Sequence, residues 1–547
     1  FTVDNNGYVN GNASTYVGWT FAKKEKFFDC VTYTGNGVDG RTISHSLDST
    51  PGFILVKRTD SAQDWAVYHR SVGATKVFYL NSTGTPVTDS EPWNDTEPTS
   101  SVFTVGTHAM VNASSATYVA YLFAHDAGGF GGTDKSVISC GGYTGNNNAS
   151  GPTVTLGWEP QYLMIKRISG GGGGQWTMFD SGRGVHTGRN DEALYANNND
   201  AETNYEYLEF NSTGFQLTTT SGDVNASADY VYIAIRRPDG YVGKPAESGT
   251  DVFNVVAGNS GGGTDTTAVY IPGFALDFAL QRRVTTTFNM DAVSRLTGSK
   301  YLYTNTNGAE QNYNPYVFDY SDGWCNDASA NSNFYSWMWK RGQGFDVLAY
   351  EGDGTSGRQL THNLAQVPEM IWCKNRSRTQ SWHCYHKGLN GGTTPENWFL
   401  KLNDTQAEGE QTSVWNDTAP TSTVVTVGSD TAVNYNGDDI LMLLFSSVAG
   451  ISKCGSYDGT GNEITITTGF QPRFLIIKVT TSADNWYVLD TVRGWASGDD
   501  KYVMFNNDIA EGTYEFGAPT STGFTIVAAD NAGFNKAGEK FIYYAHA

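Results

Sequence analysis

Apolar residues in this chain fall in short runs broken by Gly, Asn and Pro, and almost nowhere do they recur at helical spacing. One run has a recurring form: Pro, any residue, then a stretch of large apolar residues usually ending in Lys. It reads PGFILVKR from Pro51, PQYLMIKR from Pro160, PEMIWCKN from Pro368 and PRFLIIKV from Pro472, with a looser copy, PGFALDFALQRR, from Pro272. A Trp-led strand follows in four copies (WAVYH, WTMFD, WHCYH, WYVLD), and a third strand ends in Asn (KVFYLN, ALYAN, KYLYTN, WFLKLN, KYVMFN). Each copy then closes on one more strand, such as TYVAYLFA from Thr117 or DILMLLFS from Asp439.

Closing strands recur about every hundred residues, a period too long for a solenoid and right for small whole domains. The pattern predicts an all-β chain, a tandem array of five small antiparallel β-sandwich domains of jelly-roll type. The units are A (25–128), B (129–240), a divergent C (241–342), a second A (343–449, here A′) and a second B (450–547, here B′). A sixth closing strand, TYVGWTFA from Thr15, stands in front, so residues 1–24 read as the terminal hairpin of a preceding unit. Longer matches join A to A′ and B to B′: GNGVDGRTISH leads to His45 as GDGTSGRQLTH leads to His362, and CGGYTGN at Cys140 is matched by CGSYDGTGN at Cys454. The order therefore has a period of three units.

Composition sharpens this. Aromatic residues supply 13% of the 547 and charged ones only 17%, below the usual quarter, which suits β-sandwiches rich in turns. A formal charge of −21 argues against nucleic acid, whose affinity rests on Lys and Arg neutralising phosphates. The longest apolar run, Ile440 to Phe445, is far too short for a membrane span. Six cysteines, none in CxxC spacing, do not make a disulfide framework. Cys373 and Cys384 would face each other across a hairpin, where a disulfide is geometrically possible; apolar residues at the matching positions favour buried free thiols.

Few residues propose themselves for chemistry. The octapeptide WNDTEPTS from Trp93 returns as WNDTAPTS from Trp415, 322 residues later. Asx-turn chemistry and the Pro predict a Trp-anchored turn launching a strand; the competing reading is a carbohydrate-stacking Trp93 and Trp415. Trp324, Trp337 and Trp339 are aromatics peculiar to C, and with its irregular loops they are the candidates for receptor contact. His45 and His69 recur as His362 and His386; metal ligation is weighed against solvent-facing positions at strand ends, and the latter is favoured. Asn-Ala-Ser sequons at Asn12, Asn112 and Asn225 precede closing strands, where a hairpin turn is expected anyway. The acidic loops Tyr350–Gly357 and Phe318–Trp324 are weak Ca2+ candidates, lacking EF-hand spacing. The Gly runs near 170 and 260 join no strand to a helix, so they are not phosphate loops. No carboxylate pair or Ser/His/Asp set stands out, and an enzyme is disfavoured.

Taken together, YTGNGVDGRTISHSLDSTPGFILVKR, DWAVYHR, WNDTEPTSSVFTVG and VNASSATYVAYLFAHD resemble a repeat domain of uncharacterised function found in predicted tail-fibre and other virion proteins of marine phages infecting cyanobacteria and pelagic bacteria. The resemblance covers the A units closely, the B units well and C loosely. It implies a structural, host-attaching virion component on the particle surface, partnered by other virion proteins and a host carbohydrate or protein receptor, and a homo-oligomer; it brings no catalytic residues. A bacterial adhesin or filament subunit shares the composition, and a polysaccharide-degrading fibre is a third reading.

Overall fold

The computed structural model describes all residues except 1, 2, 4, 5, 13, 133, 259–267, 313–315, 319, 321, 326–331, 530 and 532. The described residues form 40 strands and three α-helices of four residues each. The chain is a tandem array of β-sandwich units, each built on one six-stranded antiparallel sheet.

Unit A shows the plan. Its large sheet runs Phe28–Thr34, Thr117–Ala124, Pro51–Arg58, Ala66–His69, Lys76–Tyr79, Val87–Thr88, and its small sheet pairs Arg41–Ser44 with Val102–Val105. The closing strand Thr117–Ala124 thus lies between the first strand and the Pro-led strand, paired on both edges. That explains the continuous apolar runs: both faces of the central strands are covered. A′ repeats this order, while in B and B′ the small sheet has three strands. In C the described residues opposite the large sheet show only isolated bridges, Tyr270 to Trp324 and Val317 to Cys325, around a core holding Trp324. The strand-ending Asn of the sequence motif has a defined job. Its side-chain oxygen accepts from the backbone N–H of the leading Trp, as in Asn197 to Trp176 at 2.7 Å and Asn403 to Trp382 at 2.9 Å.

The front segment departs from expectation. Gly7–Asn10 is a helical turn, and residues 15–22 form no ladder. A closing strand needs neighbours on both edges, and this one has neither among the described residues.

The sandwiches do not hang as separate beads. Phe253 and Trp339 of C, Trp372 and Phe445 of A′, and Phe474 and Tyr544 of B′ belong to one continuous buried core. Each unit grips its neighbour in the same way. The amide of Gln380 (A′) donates to Asn307 O (C) and that of Glu310 (C) to Arg376 O (A′); Asp484 (B′) donates to Thr405 O (A′) and Glu408 (A′) to Thr480 O (B′); Phe288 (C) donates to Asp508 O (B′) and Glu511 (B′) to Val284 O (C). Three equivalent head-to-tail contacts close a three-walled ring, the heterologous geometry that ends on itself when the rotation is one third of a turn. A and B make the same contact once, Gly174 donating to Thr83 O at 3.1 Å. Its companion is missing because the position three residues on is Pro86, which has no N–H.

Candidate functional site

The five tryptophans expected to meet a ligand are core residues. Trp93, Trp415, Trp324, Trp337 and Trp339 each expose 2% or less of their surface, so no ring face is open for a sugar. Trp93 stands edge-on to Tyr68 at 6.1 Å and Trp415 to Tyr385 at 6.2 Å, pinning the turn to the sheet. Trp324 donates to Ser336 and stacks on Phe318, while Trp337 and Trp339 face the ring interior. Burial of Trp337 and Trp339 follows from C's role as a wall of the ring, and Trp324 fills C's own sandwich core. The irregular-loop expectation for C falls largely on 259–267 and 326–331, outside the described residues.

The repeated octapeptide is a turn. Asn94 and Asp95 have φ of 50° and 48°, and Asn416 and Asp417 have 54° and 47°; successive left-handed residues favour Asn and Asp, whose side chains tolerate that region. Thr99 Oγ1 accepts from Val102 N at 3.1 Å, and Thr421 does the same for Val424 at 3.0 Å. Two of the four histidines, His45 and His362, belong to this motif, and His362, His69 and His386 are buried rather than solvent-facing. His362 donates from Nε2 to Thr421 O at 3.1 Å, and His45 faces Thr99 O likewise at 3.3 Å. His69 is buried at the border of A and B, donating from Nε2 to Tyr232 O at 3.1 Å and accepting from Ser71 N at Nδ1. That arrangement holds the neutral ring, and burial pulls its pKa down to about 4. His386 accepts from Gly388 N and is lowered, again by burial, to about 3. Among the described residues no three His, Cys, Asp or Glu groups gather as a metal cluster. In the loop weighed for Ca2+, Asp353 accepts from Thr355 N and Asn434 Nδ2, so its carboxylate is committed to the turn.

The cysteine pair is corrected by register. Cys373 lies opposite His383 and Cys384 opposite Trp372. A one-residue offset puts the two thiols on opposite faces of the sheet, one in the sandwich core and one in the ring core. Both are free.

Two devices escaped sequence reading. The first is an Asn just ahead of each closing strand in the A and B units. Asn112 donates from Nδ2 to Val38 O at 2.8 Å and Gly106 O at 2.9 Å, while Oδ1 accepts from Asn36 N at 3.0 Å. Asn225 and Asn535 tie three loops in the same way, and Asn434 does so with Thr355 and Asp353. All four are fully buried, so the sequons at Asn112 and Asn225 present no acceptor nitrogen. The signal was present as an Asn recurring where A′ and B′ carry no sequon. The second device is a buried cation at each unit border. Lys166 donates to Thr83 O at 2.8 Å, Lys374 to Asn307 O at 3.4 Å and Lys478 to Thr405 O at 3.1 Å; burial lowers each to about 8. Arg282 fills the place in C, donating to Met504 O at 3.0 Å and Asn507 O at 2.9 Å. The Trp of each motif joins in: Trp176, Trp382 and Trp486 donate to Tyr79 O, Tyr303 O and Lys401 O, each at 2.9 Å.

Between the first pair of units and the ring lies a buried ion network. Arg237 meets Glu159 at 3.0 Å and Asp346 at 2.7 Å, and Arg341 meets Glu159 at 2.9 Å and Asp277 at 3.3 Å. B, C and A′ all contribute, so the two sets of units are tied at a buried joint. The pairing offsets desolvation of these charges only while every partner is in place. A groove lined by Arg183, His186, Asn190, Glu192 and Arg295 is polar.

Fold and interfaces define an all-β tandem-repeat protein in which one set of three small sandwiches closes around a shared core. The family described as a domain of unknown function (DUF7483) matches residues 1–237 and 248–547, and the chain belongs to it. The second matched segment takes in a C, A′, B′ set; the first takes in A and B with the front closing segment. No curated protein matches the chain.

Proposed function

We propose that the protein is a structural component of a phage virion, a tail-fibre or appendage protein that carries host attachment through repeated β-sandwich units. The observation that carries this reading is the use made of the chain's aromatic and cationic side chains. The recurring Trp and Lys positions join units to each other, as a spacer that transmits force requires, and the ion network at Arg237 and Arg341 ties B to C and A′. The acidic surface keeps such a spacer soluble and unattached to anionic polymers. Receptor contact would then fall to surface loops. Other virion proteins are its fixed partners, and the site of action is outside the cell.

Peptide mass spectrometry and antibody labelling of purified phage particles test this. The protein should be found at stoichiometric level on an external appendage, and the purified chain should compete with particles for adsorption to host cells. Label confined to the surface of uninfected bacteria would overturn the proposal in favour of an adhesin.

A further inference from the structure

The ring of C, A′ and B′ is closed, whereas A and B are two walls with an open inner face. Equivalent positions make the contrast plain. Trp372, Leu443, Phe474 and Val488 are sealed in the ring core, while their counterparts Leu55, Tyr121, Tyr162 and Met178 are only half-buried. Val347 is buried, but its counterpart Cys30 is exposed. Trp65 differs from Trp176, Trp382 and Trp486 in the same sense: partly exposed, it stacks on Tyr121 at 6.3 Å under Lys57 and has no neighbouring unit's carbonyl for its Nε1 among the described residues. On the far side of B, Asn198 and Asn199 are exposed, where B′ is gripped at Asn507 and Asp508.

One strip of the third wall is nevertheless in place. Trp19 donates to Asp180 Oδ2 at 3.1 Å under the guanidinium of Arg183, as Trp337 donates to Asp490 Oδ2 at 3.0 Å under that of Arg493. Phe21 stands edge-on to Phe123 at 5.4 Å, as Trp339 does to Phe445 at 6.4 Å. Residues 15–22 therefore dock as a C-type closing strand docks, with both hydrogen-bonding edges free of any ladder.

We propose that the open face of A and B is the seat of one further C-type unit, covalently continuous with residues 15–22, whose strands pair on both edges of that segment and complete a second three-walled ring. The occupant is fixed by the geometry already present in the chain. Unit C pairs Phe253–Ala257 and Phe278–Arg283 on the two edges of Phe334–Trp339, and its Arg282 reaches the carbonyls of the B′ edge that correspond to those at Tyr195 and Asn198. A second copy of the whole chain supplies no free C, because its own C is built into its ring.

The test grafts residues 241–333 in front of Tyr16 in the otherwise intact chain, so that residues 16–21 take the place of Phe334–Trp339. Alkylation of Cys30, followed by peptide mass spectrometry, should slow about tenfold or more on grafting. Amides of residues 16–21, which pair in no ladder in the parent chain and should exchange fast there, should become protected. Cys30 reacting at the parental rate, or residues 16–21 staying in fast exchange, overturns the proposal whether or not the graft itself folds. A parent chain that is dimeric by light scattering with Cys30 already protected also overturns it, because a second copy would then cover the face.

Discussion

The Asn that ties three loops ahead of the closing strand gives the most discriminating substitution. In Asn112→Ala, Gly106 O is left buried without its donor, costing about 1–3 kcal/mol. Val38 O and Asn36 N lie at exposed residues and can turn to water, so each loses a net ~1 kcal/mol. The sum is about 3–5 kcal/mol, or about two to three and a half powers of ten in the local opening equilibrium. Asn112→Asp is the sharper case. It keeps the shape and the Oδ1 acceptor but turns a carboxylate oxygen toward the two carbonyls that Nδ2 now serves, so it should cost at least as much as Ala. Hydrogen exchange by mass spectrometry on Arg41–Ser44 and Val102–Val105, the strands flanked by these loops, reads the effect directly, with the sheets of B′ as internal reference. A turn-former or a glycan acceptor makes a different forecast, because Asp serves a turn as well as Asn. Exchange in Asn112→Asp within about fivefold of wild type would refute the three-loop tie.

Three other outcomes are expected. Trp486→Phe removes the donor to Lys401 O and part of the ring-core area, which should weaken the A′ to B′ border by about 2 kcal/mol, seen as faster exchange in Trp398–Lys401 and Tyr487–Asp490 while unit A is unchanged. His69, lowered by burial to about 4 from 6.5, stays neutral in the fold while the unfolded chain takes up a proton, so its contribution to stability is whole above pH 6.5 and lost as pH falls toward 4. Relative to His69→Gln, which keeps an N–H donor and does not titrate, the wild type should lose about 3 kcal/mol by pH 4 in denaturant titrations, and parallel curves would refute this. Under native conditions one thiol of six, Cys30, should react with iodoacetamide, slowly at neutral pH because burial and neighbouring Asp29 raise its pKa; all six should react in denaturant.

Much of the fold could be read along the chain because its signals are local. Runs such as FILV, bounded by Gly, Asn and Pro, mark strands in any β-sandwich, and the recurrence of Pro-led and Trp-led strands marks units without any knowledge of contacts. The three-unit period was also legible, from matches at His45 and His362 and at Cys140 and Cys454. Assignment of the tryptophans was not. An aromatic peculiar to one unit, such as Trp337, reads equally as a ligand platform or as packing, and only the opposing wall, here Asp490 and Arg493, decides. The sequon at Asn112 hid a buried hydrogen-bond centre for the same reason: its partners, Val38 and Gly106, are distant along the chain or belong to another loop.

The amino-acid sequence by itself determined that the chain is all-β, that it repeats, and that its repeats fall into types, because strand, turn and period are encoded by residues near one another. The tertiary structure alone decided that three repeats close on a common core, which thiol faces which core, and where a wall stands open. Those outcomes depend on register and on contacts between residues more than a hundred positions apart, such as Arg282 with Met504, whose free energy no local pattern carries.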